Sequence, residues 1–148
     1  MITAVDPLAA EYDQILARLK LTPPVRTTRA EGEKLDAHFA EGQFHLAYAS
    51  NALDHARDPL AAIRQMVRVV EPGGWVYLWH FANEGATERY HGLHQWNFEV
   101  RGGEFLIGDG RQRLRLQTEL GATAQVACEE QTAFNKRVVI AKIRKAQA

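Results

Sequence analysis

Apolar residues form two kinds of pattern along this chain, short runs typical of strands and longer segments with helical spacing. Strands are predicted at residues 2–5, 25–28 and 44–50. A further strand at 75–81 is apolar on both faces except at His80. Such a strand is typical of a sheet that helices cover on both sides.

Two helices are predicted between these strands, each preceded by an Asp-Pro pair. Asp6 and Asp58 supply N-cap oxygens, and the proline that follows each suits the first turn of a helix. The first helix is expected to stop at Thr22-Pro23-Pro24 and the second at Pro72-Gly73-Gly74. A shorter helix or a turn is expected at 34–39.

The C-terminal part of the chain has the pattern of antiparallel strands. Residues 104–107 and 113–117 flank Gly108-Asp109-Gly110, in which Asp109-Gly110 favours a tight hairpin turn. Alternation at 124–128 and a β-branched run at 138–143 indicate two more strands. Because the earlier part alternates strand with helix, the pattern predicts an α/β fold with parallel strands and an antiparallel C-terminal hairpin.

Composition and charge narrow the class of protein. The chain has 148 residues, 46% of them hydrophobic, and its 18 basic side chains balance 18 acidic ones, which predicts a single domain over 1–148. Neither half carries the basic excess that nucleic acid attracts, so we expect no nucleic-acid partner. We expect no membrane association and a cytoplasmic location, because apolar runs are short, the N-terminus lacks signal-peptide features and Cys128 is the only cysteine.

Five short motifs follow one another along the chain. They are Val5-Asp6-Pro7-Leu8, Ala30-Glu31-Gly32-Glu33-Lys34-Leu35, Phe44-His45-Leu46-Ala47-Tyr48, Asn51-Ala52-Leu53-Asp54-His55 and Glu71-Pro72-Gly73-Gly74. Their order and spacing resemble class I S-adenosylmethionine-dependent methyltransferases. The resemblance implies a Rossmann-like sheet with helices on both faces and S-adenosylmethionine as the cofactor.

The same resemblance implies which residues bind the cofactor. Asp6 matches the family's acid that accepts hydrogen bonds from the ribose hydroxyls, and Glu31 with Gly32 matches the pair that contacts adenine. Asn51 begins the segment that lines the donor and substrate pocket. Each has an alternative: Asp6 as a helix cap, Glu31 in a solvated loop, and the segment after Asn51 as a capped turn.

Substrate-binding groups are expected where family members carry them, after the fourth and fifth strands. The candidates are Asp54, His80, Asn83, His91 and Trp96. Ligands of open α/β sheets bind beyond the carboxyl ends of the strands, so these side chains predict a small-molecule site at that edge.

Two histidines are the candidate catalytic bases. His55 and His94 have side chains whose reference pKa near 6.5 suits proton transfer at neutral pH, with a buried, structural histidine as the alternative for either. His91 and His94, three residues apart on an expected helix, together with His80 and Glu84, offer ligand types that suit zinc. Neither an HExxH motif nor a cysteine pair supports such a site, so no metal is predicted.

One family feature has no counterpart in this sequence, the opening strand with its GxGxG turn and helix. The chain is expected to begin at the family's second strand, and cofactor binding is therefore expected to be impaired or absent. The strand edge left open is expected to pair with a second copy, giving a homodimer. Direct pairing of the strands that end at Asp6 and Ser50, or relocation of the N-terminal unit, are the alternatives.

Three functions remain open from the sequence. The chain is a methyltransferase with a rebuilt cofactor site, a non-catalytic relative that binds a small ligand or partner, or a gene fragment without a selected activity. Asp6, Glu31 and the polar strand-end residues favour binding, whereas the missing glycine turn disfavours ordinary cofactor affinity. Cys128 lies in an alternating strand and is expected in the core, not as a nucleophile.

Overall fold

The computed structural model describes residues 1–147, which form nine strands and four α-helices. The strands are β1 (Ala4–Val5), β2 (Thr27–Thr28), β3 (Phe44–Ser50), β4 (Val70–Phe81), β5 (Asn97–Arg101), β6 (Glu104–Gly108), β7 (Arg113–Arg115), β8 (Ala124–Ala133) and β9 (Lys136–Lys145). The helices are α1 (Ala9–Leu19), α2 (Pro59–Val69), α3 (Glu84–Thr87) and α4 (Leu116–Leu120), with 3₁₀ turns at Gly32–Ala37, Leu53–His55 and Gly121–Thr123.

The largest sheet has the strand order β3-β4-β9-β8. Strands β3 and β4 run parallel, whereas β9 pairs antiparallel with both β4 and β8. A second sheet, β5-β6-β7, is antiparallel, and β1 and β2 form a small parallel pair of their own. The predicted fold class is confirmed: the chain has a mixed α/β fold with parallel strands and an antiparallel C-terminal hairpin, β8–β9.

One apolar core lies between helix α2, the large sheet and the sheet β5-β6-β7. Its fully buried members include Ile63 of α2, Leu78 of β4, and Phe98 and Ile107 of the second sheet. Burial of each such side chain contributes about 1.5–3 kcal/mol. The core therefore joins the large sheet to the sheet β5-β6-β7.

Helix α2 forms where the Asp58-Pro59 pair predicts it. Asp58 Oδ1 accepts a hydrogen bond from Ala61 N at 2.9 Å, which caps the helix N-terminus. The helix ends earlier than predicted, because Val70 is already extended and pairs with β3. The Pro72-Gly73-Gly74 segment consequently lies inside β4 and does not end the helix.

Helix α1 begins later than predicted. Asp6 Oδ1 accepts a hydrogen bond from Leu8 N at 2.8 Å, so this carboxylate stabilises the turn before the helix and does not cap the helix itself. The helix ends at Lys20, which has a left-handed backbone with φ 54°, before Thr22-Pro23-Pro24 is reached. Its larger apolar side chains are exposed: Tyr12, Ile15 and Leu19.

The turns between the C-terminal strands differ from the prediction. Residues 109–112 form a longer loop than the tight turn expected at Asp109-Gly110, because Asp109 Oδ1 accepts hydrogen bonds from both Arg111 N and Gln112 N. The tight turn is Gly102-Gly103, between β5 and β6, where φ values of 60° and 80° require glycine. Strand β7 is also shorter than expected, since the chain enters α4 directly after Arg115.

Strand β4 has one buried face and one partly exposed face. Val76, Leu78 and His80 point into the core and are almost inaccessible to solvent. On the opposite face Trp75 is 44% exposed and its neighbours are half-buried. We call this the aromatic face of β4; its residues are Trp75, Tyr77, Trp79 and Phe81. Within residues 1–147 this face has less cover than the sequence of the strand led us to expect.

Strand β3 forms an edge of the large sheet. In the part of the chain that the structure describes it pairs only with β4, and its residues Leu46 and Tyr48 are more than half exposed. Strand β1, which ends before Asp6, pairs with β2 instead of β3. The N-terminal strands therefore lie outside the large sheet, as in the relocation alternative.

Candidate functional site

The carboxyl ends of β3 and β4 are held together by one asparagine. Asn51 follows β3 with a left-handed backbone (φ 45°), and its N–H donates to Trp79 O at 2.7 Å. Its side-chain Oδ1 accepts from Phe81 N at 3.1 Å. Asn51 thus extends the pairing of the two strands. Because Asn51 is fixed to β4, the position of the 3₁₀ turn at Leu53–His55 just beyond the sheet is fixed as well. Its predicted contact with a cofactor stays a prediction.

Three ionisable side chains meet just beyond this strand end. His94 Nδ1 lies 2.8 Å from Asp54 Oδ2, and His55 Nε2 lies 3.3 Å from the same oxygen. The two ring nitrogens are 3.2 Å apart, and the rings meet edge to face. We call Asp54, His55 and His94 the strand-end cluster. The structure therefore brings together both predicted bases and one predicted substrate ligand.

The strand-end cluster depends on a loop at 88–96, which is not the helix that the histidine spacing predicted. The loop is tied to the 3₁₀ turn by Gln95 N, which donates to Asp54 O at 3.2 Å, and by Trp96 Nε1, which donates to Ala56 O at 2.9 Å. Within the loop, the Gln95 side chain donates to the carbonyl oxygens of Tyr90 and Gly92. These bonds fix the place of His94.

Burial and hydrogen bonding assign protons within the cluster. Asp54 is 1% exposed, and a carboxylate oxygen only accepts hydrogen bonds. His94 Nδ1 therefore donates to Asp54 Oδ2, which leaves His94 Nε2 as a proton acceptor. His55 Nε2 contacts both Asp54 Oδ2 and His94 Nδ1, at 3.3 and 3.2 Å. Among the described residues, nothing donates a hydrogen bond to the second oxygen, Asp54 Oδ1, although it is buried.

A cleft of about 630 Å³ adjoins the cluster at His55. It is lined by apolar groups such as Leu93 and Trp96 and by the charged side chains of Arg57, Asp109 and Arg111. Hydrogen bonds from Gln112 N and Arg111 N lower the pKa of Asp109, so this carboxylate is negative at neutral pH. A small polar molecule fits such a cleft.

Two of the other predicted substrate ligands lie away from the strand-end cluster. His91 is exposed, and its side chain does not line the cleft. Asn83, with φ 56°, precedes α3 and borders a separate hollow with Tyr90 and Arg113. Trp96, in contrast, lines the cleft directly.

His80 lies in the core. Its ring stacks on Phe98 at 4.5 Å, it is 0% exposed, and both ring nitrogens are buried without a hydrogen-bond partner among residues 1–147. Burial lowers the pKa of His80 from 6.5 to about 4, although the negative charge of Asp54 opposes this shift. We therefore leave His80 out of the proposed site.

Three of the predicted cofactor residues, Asp6, Glu31 and Gly32, follow the carboxyl ends of β1 and β2. Asp6 N donates to Thr28 O, so Asp6 sits next to the end of β2, and Glu31 follows a few residues later. Glu31 pairs with Lys34 at 2.9 Å, and this hydrogen bond lowers the pKa of Glu31. A Cβ on Gly32 would approach Ala62 of α2 to 3.3 Å, so this backbone packs closely on the helix.

The 3₁₀ turn at Gly32–Ala37 is linked to the segment after the strand-end cluster. Glu33 Oε1 accepts hydrogen bonds from Arg57 N at 2.9 Å and from Asp58 N at 3.3 Å. No hydrogen bond between described residues joins Asp6 to Asn51. The turn that contains Gly32 and Glu33 is thus anchored near the cleft, while Asp6 stays with the small β1–β2 pair.

These residues fit the nucleoside half of S-adenosylmethionine. A carboxylate at Asp6 can accept from two ribose hydroxyls, and one at Glu31 can accept from an exocyclic amine. Within residues 1–147, none of the segments that lead from a strand into an α-helix contains a glycine. The backbone cradle that a glycine turn gives to the rest of the cofactor is therefore not part of the described site.

Several lining residues were not anticipated from the sequence. Gln95 positions the loop, and Arg57 and Arg111 charge the cleft. Arg57 could have been found from the sequence, because it follows the predicted base His55 by only two residues. Arg111 belongs to the 109–112 loop, and only the folded chain brings it near. Cys128 donates to Gly103 O, and burial raises the pKa of its thiol, in agreement with a packing role.

Comparison with known families gives one match. The family described as methyltransferase domain matches residues 1–78, more than half of the chain. No curated protein matches the chain. None of the helices within residues 1–147 is both long and apolar enough to span a membrane.

Solved structures of similar fold are numerous. The [4+2]-cyclase SpnF has a TM-score of 0.61 and 15% identity, over 100% of this chain and 68% of that one. The N-methyltransferase NodS from Bradyrhizobium japonicum, solved with S-adenosyl-L-homocysteine, has a TM-score of 0.57 and 14% identity, over 97% and 65%. A SAM-dependent methyltransferase from Methanosarcina mazei has a TM-score of 0.58 and 17% identity, over 98% and 81%. The chain spans about two thirds of the length of the first two, and the likeness is one of fold.

The burial of His80 predicts a pH-dependent loss of stability. The unfolded chain binds a proton at this imidazole below pH 6.5, while the folded protein resists it down to about pH 4. Stability is therefore lost as pH falls from 6.5 to 4, by about 3 kcal/mol from this residue. Urea unfolding at pH values across this range gives the free energy of unfolding at each pH. Its loss between pH 6.5 and 4 should be about 3 kcal/mol smaller in His80→Phe than in the wild type. The control His38→Phe, at an exposed histidine, should lose as much stability as the wild type over this range. An equal loss in all three proteins would contradict the role of His80.

Proposed function

We propose, because the chain belongs to the methyltransferase domain family, that it is an S-adenosylmethionine-dependent methyltransferase-like protein with weakened cofactor binding. The observation that carries the proposal is the Asp54-bridged histidine pair beside the cleft at the strand ends. A methyl acceptor bound in that cleft would lie within reach of a base that the protein has already oriented.

The cofactor end of the proposed site consists of Asp6, Glu31 and Gly32, with Asn51 at the neighbouring strand end. When bound, S-adenosylmethionine supplies an activated methyl group. The acceptor oxygens of Asp6 and Glu31 support binding of the nucleoside, whereas a glycine cradle is not among the described residues. The chain as it stands is therefore proposed to bind the cofactor weakly.

His94 and His55 are the proposed catalytic bases. Asp54 Oδ2 accepts from His94 Nδ1, so His94 Nε2 is free to take the proton of an acceptor, and His55 lies beside it with Nε2 3.3 Å from the same oxygen. The carboxylate also stabilises the imidazolium that forms. His94 is more tightly held than His55, since its contact with Asp54 is the shorter and the Gln95 bonds fix its loop.

The proposed substrate is a small molecule with an acidic group. Arg57 and Arg111 line the cleft and offer guanidinium groups to a carboxylate or phosphate, while Trp96 offers a flat apolar wall. If the acceptor atom carries a proton, the histidine pair can act as the base that removes it. The proposed partners are this substrate and a second copy of the chain, and the lone cysteine supports a cytoplasmic location.

A second candidate function is ligand binding without methyl transfer. It is favoured by the position of Asp6, which shares no hydrogen bond with the strand-end residues in the described chain. A fold alone does not fix the chemistry, and one protein of similar fold is named a [4+2]-cyclase. The cleft and the strand-end cluster serve either function.

The homodimer is proposed from the exposed edge of β3 and the aromatic face of β4. Beside them, Leu46 is 56% exposed and Phe134, whose ring meets Trp79, is 83% exposed. At roughly 150–250 Å² per aromatic side chain, these groups leave several hundred Å² of apolar area for a partner. That is a large share of the roughly 800 Å² that one partner buries in a standard interface. Antiparallel pairing of β3 with β3 of a second copy would add backbone hydrogen bonds.

Binding of S-adenosylhomocysteine should be weak and should depend on Asp6. Titration calorimetry is expected to give a Kd of about 1 mM. Asp6→Asn keeps the oxygen that accepts from Leu8 N but removes the charge, so the Kd should rise about tenfold. The control Asp13→Asn, at an exposed acid paired with Arg26, should leave it unchanged. Equal values for both variants would remove Asp6 from the site, and a nanomolar wild-type Kd would contradict weakened binding.

Methyl transfer should depend on His94. With isotope-labelled S-adenosylmethionine and a panel of small carboxylate-bearing acceptors, His94→Ala should lower the transfer rate about 100-fold, the usual scale of a general base. The exposed residue His38 serves as a control, and His38→Ala should keep the rate. Saturable binding of acceptors without any transfer would favour the second candidate function.

Dimer formation should depend on Leu46. Leu46 and Leu19 are both 56% exposed, but only Leu46 lies on the β3 edge. Light scattering should give a dimer for the wild type and for Leu19→Lys, and a monomer for Leu46→Lys, because the new charges would meet across the two-fold axis. A wild-type monomer at all accessible concentrations would rule the homodimer out.

A further inference from the structure

The strand-end cluster presents three metal-ligating atoms that face one another. They are Asp54 Oδ2, His55 Nε2 and His94 Nδ1, separated by 2.8, 3.2 and 3.3 Å. Two of them come from the 3₁₀ turn after β3 and the third from the loop before β5. Loop 88–96 and the 3₁₀ turn are hydrogen-bonded to each other, so the arrangement is built by the fold.

These separations match one face of a tetrahedral zinc site. With metal–ligand distances of about 2.0–2.2 Å, the ligand atoms of a tetrahedral ion lie about 3.3 Å apart. An ion about 2 Å from each of the three atoms would sit roughly 1 Å out of their plane. The side chains would therefore need to move by only a few tenths of an ångström at Asp54 and His94, where the distance is shortest.

The buried carboxylate gives an independent reason for a cation here. Asp54 is 1% exposed, and its second oxygen, Oδ1, has no hydrogen-bond donor in the part of the chain that the structure describes. A buried carboxylate is costly unless charges or hydrogen bonds compensate it. A divalent ion at the cluster would compensate the charge of Asp54 and bring a positive centre near its unpartnered oxygen.

The donor set selects the kind of ion. Two imidazole nitrogens and one carboxylate oxygen suit zinc and other first-row divalent ions, whereas magnesium and calcium prefer oxygen alone. The side chains of His55 and His94 are 39% and 31% exposed, so solvent can reach a fourth coordination position. Three protein ligands with an open position are typical of catalytic rather than structural zinc sites.

We propose that Asp54, His55 and His94 form a three-ligand site for a first-row divalent cation such as Zn²⁺. The site goes beyond the proposed function and does not require methyl transfer. An ion would bind the lone pairs of His94 Nδ1 and His55 Nε2, and each neutral ring would then carry its proton on its other nitrogen, His94 Nε2 and His55 Nδ1. The loaded cluster is then no longer a base, so cation binding and proton abstraction exclude each other at these rings.

Cobalt and zinc titrations of the metal-stripped 148-residue protein test the site. Co²⁺ should bind in a 1:1 ratio and give visible absorption bands of a four-coordinate ion, and Zn²⁺ should displace it while Mg²⁺ should not. In His94→Ala and in His55→Ala the affinity should fall at least about tenfold. His38→Ala and His91→Ala, at exposed histidines outside the cluster, should leave it unchanged.

Each result decides the proposal without a methyl-transfer assay. Absence of a cobalt spectrum, or a loss of affinity in His91→Ala equal to that in His94→Ala, would overturn the site. Circular dichroism with a chelator establishes that each variant is folded before titration. If His94→Ala fails to fold, the more exposed His55→Ala carries the test alone, and wild-type affinity in that variant would overturn the proposal.

Discussion

The parallel pairing of β3 with β4 is the interaction on which the other features of this molecule depend. It runs from Phe44 against Val70 to Ser50 against Trp79, and Asn51 continues it for one more residue with two hydrogen bonds. The carboxyl ends of both strands are thereby held at one edge, where Asp54 and its turn emerge. On its other side β4 pairs with β9, which places the C-terminal hairpin β8–β9 in the same sheet.

Much of this architecture follows from local sequence signals. The short apolar run at Phe44–Ser50 and the Asp58 cap predicted β3 and α2 at their observed starts. The signals failed where long-range pairing outweighs local preference. Val70 already pairs with β3, so helix α2 ends before the Pro72-Gly73-Gly74 segment that was expected to end it. The side chain of Asp109 accepts backbone hydrogen bonds that stabilise a longer loop than the expected tight turn.

The candidate site was predicted in its chemistry better than in its geometry. Family resemblance pointed to Asp54, His55 and His94, but spacing alone placed His94 on a helix that does not form. Residues 40 positions apart, as Asp54 and His94 are, meet only after the chain has folded. His80 differs because the alternation of β4 turns it inward, and its burial could have been anticipated from the apolar strand around it, whereas its stacking on Phe98 could not.

The docking of loop 88–96 has a consequence for how the protein can be altered. The loop contributes little to the apolar core, and the side-chain hydrogen bonds within it run from one amide, Gln95, to backbone oxygens that any residue supplies. Substitutions at its exposed positions, such as His91 and Leu93, are therefore nearly neutral for stability. Selection can vary the rim of the cleft at these positions while the strand ends beneath it stay the same. Differences in ligand preference among relatives would then be concentrated in this loop, while the strands beneath it would keep the similarity that relatives share.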